Sequence, residues 1–312
     1  MKMETTLNTW YCSVSVASVW TSPESARAID ELGLINPVRL NDWLEKLPYE
    51  QRLDLCDGNR IQTQLLYGEP VILEGVQGDW AKVIAVWQPS KKDERGYPGW
   101  VPLAQLKEAQ PIDAQGFAKV TVGKAQLLHT DGTPLVVVPM NTLLPYVGEE
   151  GDYLRVCTPD GYALLLNSDA VRAPSIHQFA KSPPLVAVDK GLTFLDLPYF
   201  WGGMSSYGYD CSGFTYNMLK ACGHSIPRDA GDQARGGVEI LMGNVEQWEK
   251  GDLLFFANDE GQGNVRHVGF YYGNGLILHS PSTGKSIELL KLAGSSLESE
   301  LCAVRRYGTV EG

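Results

Sequence analysis

The chain has 312 residues, roughly twice the usual length of one domain, so two or three domains are expected. Its 44% hydrophobic and 20% charged content excludes a largely disordered protein. A formal net charge of −11 argues against nucleic acid or an anionic membrane surface as the main partner.

Cys12, Cys56, Cys157, Cys211, Cys222 and Cys302 are too sparse for a disulfide scaffold, and no two stand at C-x-x-C spacing, so neither a structural zinc site nor another cofactor is predicted. The first twenty residues lack the continuous apolar core of a signal peptide, and no apolar run of 18 residues occurs anywhere. A cytoplasmic address is predicted, although a chain trimmed of an export signal would read identically.

Along the first 175 residues, short β segments alternate with turns. Val71–Leu73, Ala81–Trp87 and Trp100–Leu103 are β-branched or aromatic runs bounded by Gly, Asp and Pro. Residues Pro37–Cys56, with Leu40, Trp43, Leu44, Leu47, Leu53 and Leu55, read instead as helical turns inserted in a loop. An internal repeat is visible: the turn Gly78-Asp79-Trp80 recurs as Gly151-Asp152-Tyr153, flanked by comparable strand runs. This order of strands and glycine turns resembles the bacterial SH3 domain, and two such all-β barrels are expected, over 8–106 and 112–173. Pro174 and Ser182-Pro183-Pro184 mark a linker into a third domain over 180–310, where the pattern turns α+β. There a helix over Leu185–Leu195, a second after Asp210, and strands at 251–256, 267–272 and 275–279 are predicted.

The chemistry concentrates in Tyr199–Phe214. Asp210 is a good N-cap, Phe214, Met218, Ala221 and Cys222 follow at helical spacing, and Gly223 is a stop. Cys211 then falls in the first turn, where the partial positive charge of the helix end favours thiolate. It is a candidate nucleophile, or else a small buried residue. Gly273-Asn274-Gly275 reads as a hairpin turn centred near 273, which sets His267 opposite His279 on one face. That pair supplies a base for Cys211 and a group to orient the base. Zinc held by the two histidines and Cys211, or two histidines merely satisfied in a core, are the competing accounts. His129 and His177 fall in predicted loops.

The segment Tyr199-x-Trp201-Gly202-Gly203, then Asp210-Cys211-Ser212-Gly213-Phe214, then His267-Val268-Gly269-Phe270-Tyr271-Tyr272-Gly273, then Leu278-His279-Ser280 resembles the NlpC/P60 cysteine peptidases. These have a papain-like fold and cleave bacterial cell-wall peptides. With Arg228-Asp229-Ala230, Asp232-Gln233 and two SH3-like domains in front, the chain is similar to the dipeptidyl-peptidase VI type, the γ-D-glutamyl-L-diamino acid endopeptidases. The resemblance implies Cys211 as nucleophile, His267 as general base, His279 as the residue holding its ring, and Tyr199 near the oxyanion. It also implies that Trp201, Asp210 and Ser212 line the substrate cleft, and that Asp229 binds the free amine of an N-terminal L-alanine. Tyr97, with Gln62 beside it, is the candidate contribution of the first SH3-like domain to that amine pocket. A glutamate would be expected where Gln62 stands. Asp229 reads also as a plain N-cap, Tyr97 as barrel packing and Trp201 as a structural aromatic. The implied partner is a muropeptide, L-Ala-γ-D-Glu-L-Lys or its diaminopimelate counterpart, processed in cell-wall recycling. An amidase or acyltransferase on the same fold, or a non-catalytic wall-binding protein built on the barrels, are the alternatives.

Overall fold

The structure, a computed structural model, describes residues 9–110 and 113–308. The expected domain limits at residues 8, 112 and 310 lie outside them. Two compact units are present. One holds two β sheets; the other holds the chain from Ala180 onward, together with the segments Tyr49–Leu53 and Gln88–Glu94.

The first sheet is built from β1 (Thr9–Cys12), β2 (Val16–Trp20), β3 (Ile61–Leu66), β4 (Pro70–Gln77), β5 (Trp80–Ala85), β6 (Tyr97–Pro102) and β7 (Leu106–Ala109). The second contains β8 (Gly116–Val120), β9 (Lys124–His129), β10 (Pro134–Pro139), β11 (Leu143–Glu150), β12 (Tyr153–Thr158), β13 (Gly161–Leu166) and β14 (Ala170–Ala173). Their strand orders, β3-β2-β6-β5-β4-β1-β7 and β10-β9-β13-β12-β11-β8-β14, are the same order displaced by seven strands. The sequence repeat is thus a repeat of topology, and both sheets are SH3-like. Gly78 and Gly151 occupy equivalent hairpin turns with φ of +56° and +59°, a conformation that costs glycine nothing. His129 ends a strand rather than lying in a loop. Between β2 and β3 stand α1 (Glu31–Leu34), α2 (Leu40–Lys46) and α3 (Tyr49–Asp57), the helical insertion. Trp43 of α2 is fully buried and packs on Trp20, 6.1 Å between ring centroids.

The other unit carries α4 (Pro184–Leu192), the two-residue strands β15 (Met204–Ser205) and β16 (Gly208–Tyr209), α5 (Cys211–Ala221), α6 (Ala230–Gln233), β17 (Val238–Ile240), β18 (Leu253–Ala257), β19 (Val265–Gly273), β20 (Leu276–His279), β21 (Glu288–Lys291) and β22 (Leu301–Arg306). The last six form one antiparallel sheet in the order β17-β22-β18-β19-β20-β21. Helix α5 lies on one sheet face, where Phe214 meets Phe270 edge-on at 5.9 Å. The opposite face carries an apolar cluster that includes Phe256, Tyr271 and Ile277. No helix among the described residues is long and apolar enough to cross a membrane.

Candidate active site

Helix α5 begins where its sequence dictates. The Asp210 carboxylate accepts from the Gly213 N–H at 2.6 Å, an N-cap that contributes about 1 kcal/mol. The helix ends in a Schellman motif: His224 N–H donates to Leu219 O at 3.0 Å and Gly223 N–H to Lys220 O at 3.1 Å. Gly213 has a second duty. A Cβ there would stand 2.1 Å from the Gly203 carbonyl oxygen, so only glycine lets the head of α5 seat against the Trp201-Gly202-Gly203 turn.

Cys211 is thereby the first residue of α5, and it is buried. Backbone N–H groups of Ser212 and Val268 favour its thiolate, as does the Arg228 charge, but burial first and the Asp210 carboxylate second outweigh them. The thiol is pushed up to about 12. The expectation that the helix end keeps the sulfur ionised is therefore corrected. A helix terminus supplies about 0.3–1 kcal/mol, less than the desolvation of a buried thiolate. The Val268 contact matters for geometry, because it places the sulfur beside the residue that follows His267.

His267 and His279 are both buried, and their rings touch directly, with His267 Nε2 2.7 Å from His279 Nδ1. They are not directly opposite, as a turn centred at 273 would require. Asn274 and Gly275, both at positive φ, form the two-residue turn, and a register shift follows at Tyr271/Gly273. Phe270 pairs with Leu278 and Tyr271 with Ile277, so continuing that register puts His279 across from Gly269. The offset is two residues, an even number, and the histidines keep one face. Gly269 makes the diagonal contact possible, since a Cβ there would lie 2.8 Å from His279 Cβ. Phe256 flanks the His267 ring at 5.7 Å. Burial first, then the charges of His279 and Arg266, hold His267 well below the ordinary imidazole range. Burial, then Lys285, brings His279 down to about 4. Both rings are neutral at pH 7. With Nε2 of His267 engaged by His279, Nδ1 is its remaining ring nitrogen.

Two contacts invisible in the motif pattern bind these parts together. Ser280 Oγ donates to Tyr209 O at 2.8 Å, tying the residue after His279 to the chain just before Cys211. Arg228, 1% exposed, donates to Asp210 Oδ2 at 2.6 Å, to Asp210 Oδ1 at 3.2 Å and to Ser212 Oγ at 2.8 Å. Ser212 Oγ is in turn 3.3 Å from Asp210 Oδ1. Asp210 and Ser212 are thus engaged from behind by a buried guanidinium. A buried arginine needs such a partner, and that need is the signal in Arg228-Asp229 that a sequence reading can exploit.

Tyr199 is buried, with its N–H on Lys285 O at 2.9 Å, and Trp201 is half-buried in the adjoining turn. Asp229 occupies the N-cap position of α6 without a capping bond from its side chain. Its carboxylate instead stands 3.6 Å from Lys92 Nζ, an ammonium delivered by the segment Gln88–Glu94 of the same unit. Tyr97 and Gln62 lie in β6 and β3 of the first sheet, in the other unit. Tyr97 is buried in that sheet's core, and the Gln62 amide donates to Thr21 Oγ1 at 2.6 Å and to Asn59 Oδ1 at 2.9 Å.

Comparison with known proteins identifies the family of the chain and of its second sheet. Residues 196–306 match the NlpC/P60 family, and residues 120–172 match the YKFC SH3b2 domain. The chain is similar to gamma-D-glutamyl-L-lysine dipeptidyl-peptidase of Bacillus subtilis (strain 168), 46% identical over 94% of this chain and 96% of that protein. The protein of the same name from Bacillus cereus is 37% identical over 95% of this chain and 90% of its own length. A crystal structure of an NlpC/P60 family protein from Bacillus cereus superposes with a TM-score of 0.89 at 36% identity, covering 96% of this chain and 99% of that one. A cysteine heading a glycine-seated helix, a histidine pair on the adjoining hairpin and full-length similarity of this degree lead to one conclusion: the chain belongs to the NlpC/P60 family of cysteine peptidases.

Proposed function

We propose that this enzyme hydrolyses the bond between γ-D-glutamate and an L-diamino acid in peptidoglycan-derived peptides that begin with a free L-alanine. The names of its relatives supply the bond. The observation that carries the chemistry is the junction of Cys211 with β19 at Val268, next to a His267 whose far nitrogen is held by His279.

In this reading Cys211 Sγ attacks the γ-carbonyl carbon as its proton moves to His267 Nδ1. Because burial keeps the thiol protonated, the transfer accompanies attack, and His267 acts as a general base rather than as half of a standing ion pair. The Cys211 N–H, one of the first of α5 and so without an intrahelical partner, and Tyr199 meet the oxyanion. Collapse breaks the C–N bond, and the proton on His267 passes to the departing amine. Water, deprotonated by His267, then cleaves the thioester and restores the thiol.

Asp229 holds the substrate's ammonium. The presence of the Lys92 ammonium on that carboxylate supports the assignment, because the site already accepts a group of the same charge. Trp201, Asp210 and Ser212 line the cleft, with the Arg228 charge behind them to offset the free α-carboxylate of the γ-linked glutamate. Gln62 brings no charge, so ionic recognition falls on Asp229. A cytoplasmic task in the recycling of cell-wall peptides completes the proposal.

Incubation with L-Ala-γ-D-Glu-L-Lys and the diaminopimelate peptide, free and N-acetylated, with mass identification of products, tests the proposal. Release of L-Ala-D-Glu from the free peptides alone is expected. Equal cleavage of free and blocked peptides would overturn the amine pocket, and no cleavage of either would overturn the substrate.

A further inference from the structure

The mechanism above stops at His279, yet one of its atoms is left over. His279 Nε2 is buried and has no hydrogen-bond partner among the described residues, a costly state for a ring nitrogen. The carboxylate of Glu288 faces it, with Oε1 3.6 Å from that nitrogen. The placement follows from the sheet: β20 and β21 run antiparallel with His279 paired directly to Glu288. Strand β21 is the edge of the sheet, and the Glu288 side chain is 42% exposed, so its carboxylate comes from the solvent side of a buried ring.

We infer that Glu288 is a positioning residue of the catalytic line, a carboxylate that fixes which nitrogen of each imidazole carries the proton. The inference rests on the reading of His267 as base given above. Two arrangements satisfy the short contact between the rings. In the first, His267 Nε2–H donates to a bare His279 Nδ1, so His279 carries its proton on Nε2 and His267 Nδ1 is bare, ready to receive the thiol proton. In the second, His279 Nδ1–H donates to a bare His267 Nε2. His267 then carries its proton on Nδ1 and cannot act as a base, and a bare His279 Nε2 faces a carboxylate. Two acceptors facing each other repel, whereas an N–H facing a carboxylate attracts, so Glu288 selects the first arrangement. Burial and Lys285 keep His279 uncharged, so the carboxylate acts on the choice between neutral tautomers. The shift needed to turn 3.6 Å into a hydrogen bond is a fraction of an ångström at an exposed side chain.

The test uses the full chain with 15N-labelled histidine, in which 5 histidines give an assignable spectrum. Wild type should show His267 and His279 both protonated at Nε2. Glu288→Leu should give mixed tautomers at both rings, and iodoacetamide labelling of the Cys211 peptide and kcat should each fall about tenfold, with KM within twofold, the low end of the loss seen for a carboxylate behind a metal-bound histidine. Glu288→Gln, whose amide oxygen still accepts, should recover the wild-type tautomers and most of the rate. Unchanged tautomers and labelling in Glu288→Leu, or equal losses in the Leu and Gln variants, overturn the inference. Tautomer and labelling involve no peptide, so failure of the substrate proposal leaves this result readable.

Discussion

Replacing Arg228 by methionine keeps the length and most of the volume of the side chain and removes its charge. The guanidinium is 1% exposed and makes three hydrogen bonds to Asp210 and Ser212, and Asp210 is itself 8% exposed. Removing one partner of such a pair strands a carboxylate in the interior, which costs about 3–5 kcal/mol. At about 2–4 °C per kcal/mol for a domain of this size, the variant should melt about 6–20 °C below wild type. Adding Asp210→Asn removes the stranded charge while keeping an amide oxygen that can still cap Gly213, so the double variant should recover a large part of the loss. Thermal unfolding followed by circular dichroism reads both. A second readout is chemical: Arg228 is among the groups favouring the Cys211 thiolate, so the folded single variant should be alkylated more slowly at Cys211. A single variant melting within about 2 °C of wild type would refute the argument. So would a double variant no more stable than the single, since the deficit would then not be an uncompensated charge.

Cys211→Ala should abolish peptide hydrolysis and leave the melting temperature nearly unchanged, because alanine keeps the first turn of α5; residual turnover assigns the nucleophile elsewhere. His279 is held down to about 4 from 6.5, so the unfolded chain binds its proton first. The stability it contributes is complete above pH 6.5 and falls as pH drops towards 4, by up to about 3 kcal/mol. Stability of His279→Gln should decline less over that window, and equal slopes would remove His279 from the account. Lys92→Met takes a competing ammonium off Asp229, and an exposed pair contributes about 0.2–1 kcal/mol, so KM for the free-amine peptide should fall by up to about fivefold. A raised KM would mean that Lys92 assists binding.

What the sequence made legible was local. The N-cap Asp210, the stop Gly223 and the turn glycines Gly78 and Gly151 act over a few residues, and both the α5 helix and the repeated barrel follow from them. The Asn274-Gly275 turn was visible, but the shift at Tyr271/Gly273 was not, and placing the centre one residue early misplaces the partner of His267 by two. The parity survived, and with it the shared face. The ionisation of Cys211 was misread because burial is a tertiary quantity and opposes the helix end, which sequence does show. Arg228 and Ser280 stand in quoted motifs, but their partners escaped notice because they lie 18 and 71 residues away, where no spacing rule reaches. Strand β17 is only three residues long, β21 and β22 carry little apolar alternation, and Glu288 sits in β21.

The hairpin between His267 and His279 also constrains how relatives of this chain can vary. Residues added to or removed from its strands in twos slide the rings apart or together on one face, since neighbouring side chains alternate across a sheet. A single residue added within either strand, and not absorbed by a bulge such as the one at Tyr271/Gly273, would turn one imidazole to the other sheet face, and the base would lose its anchor. Even steps within these strands keep the anchor, whereas an odd step needs a compensating bulge.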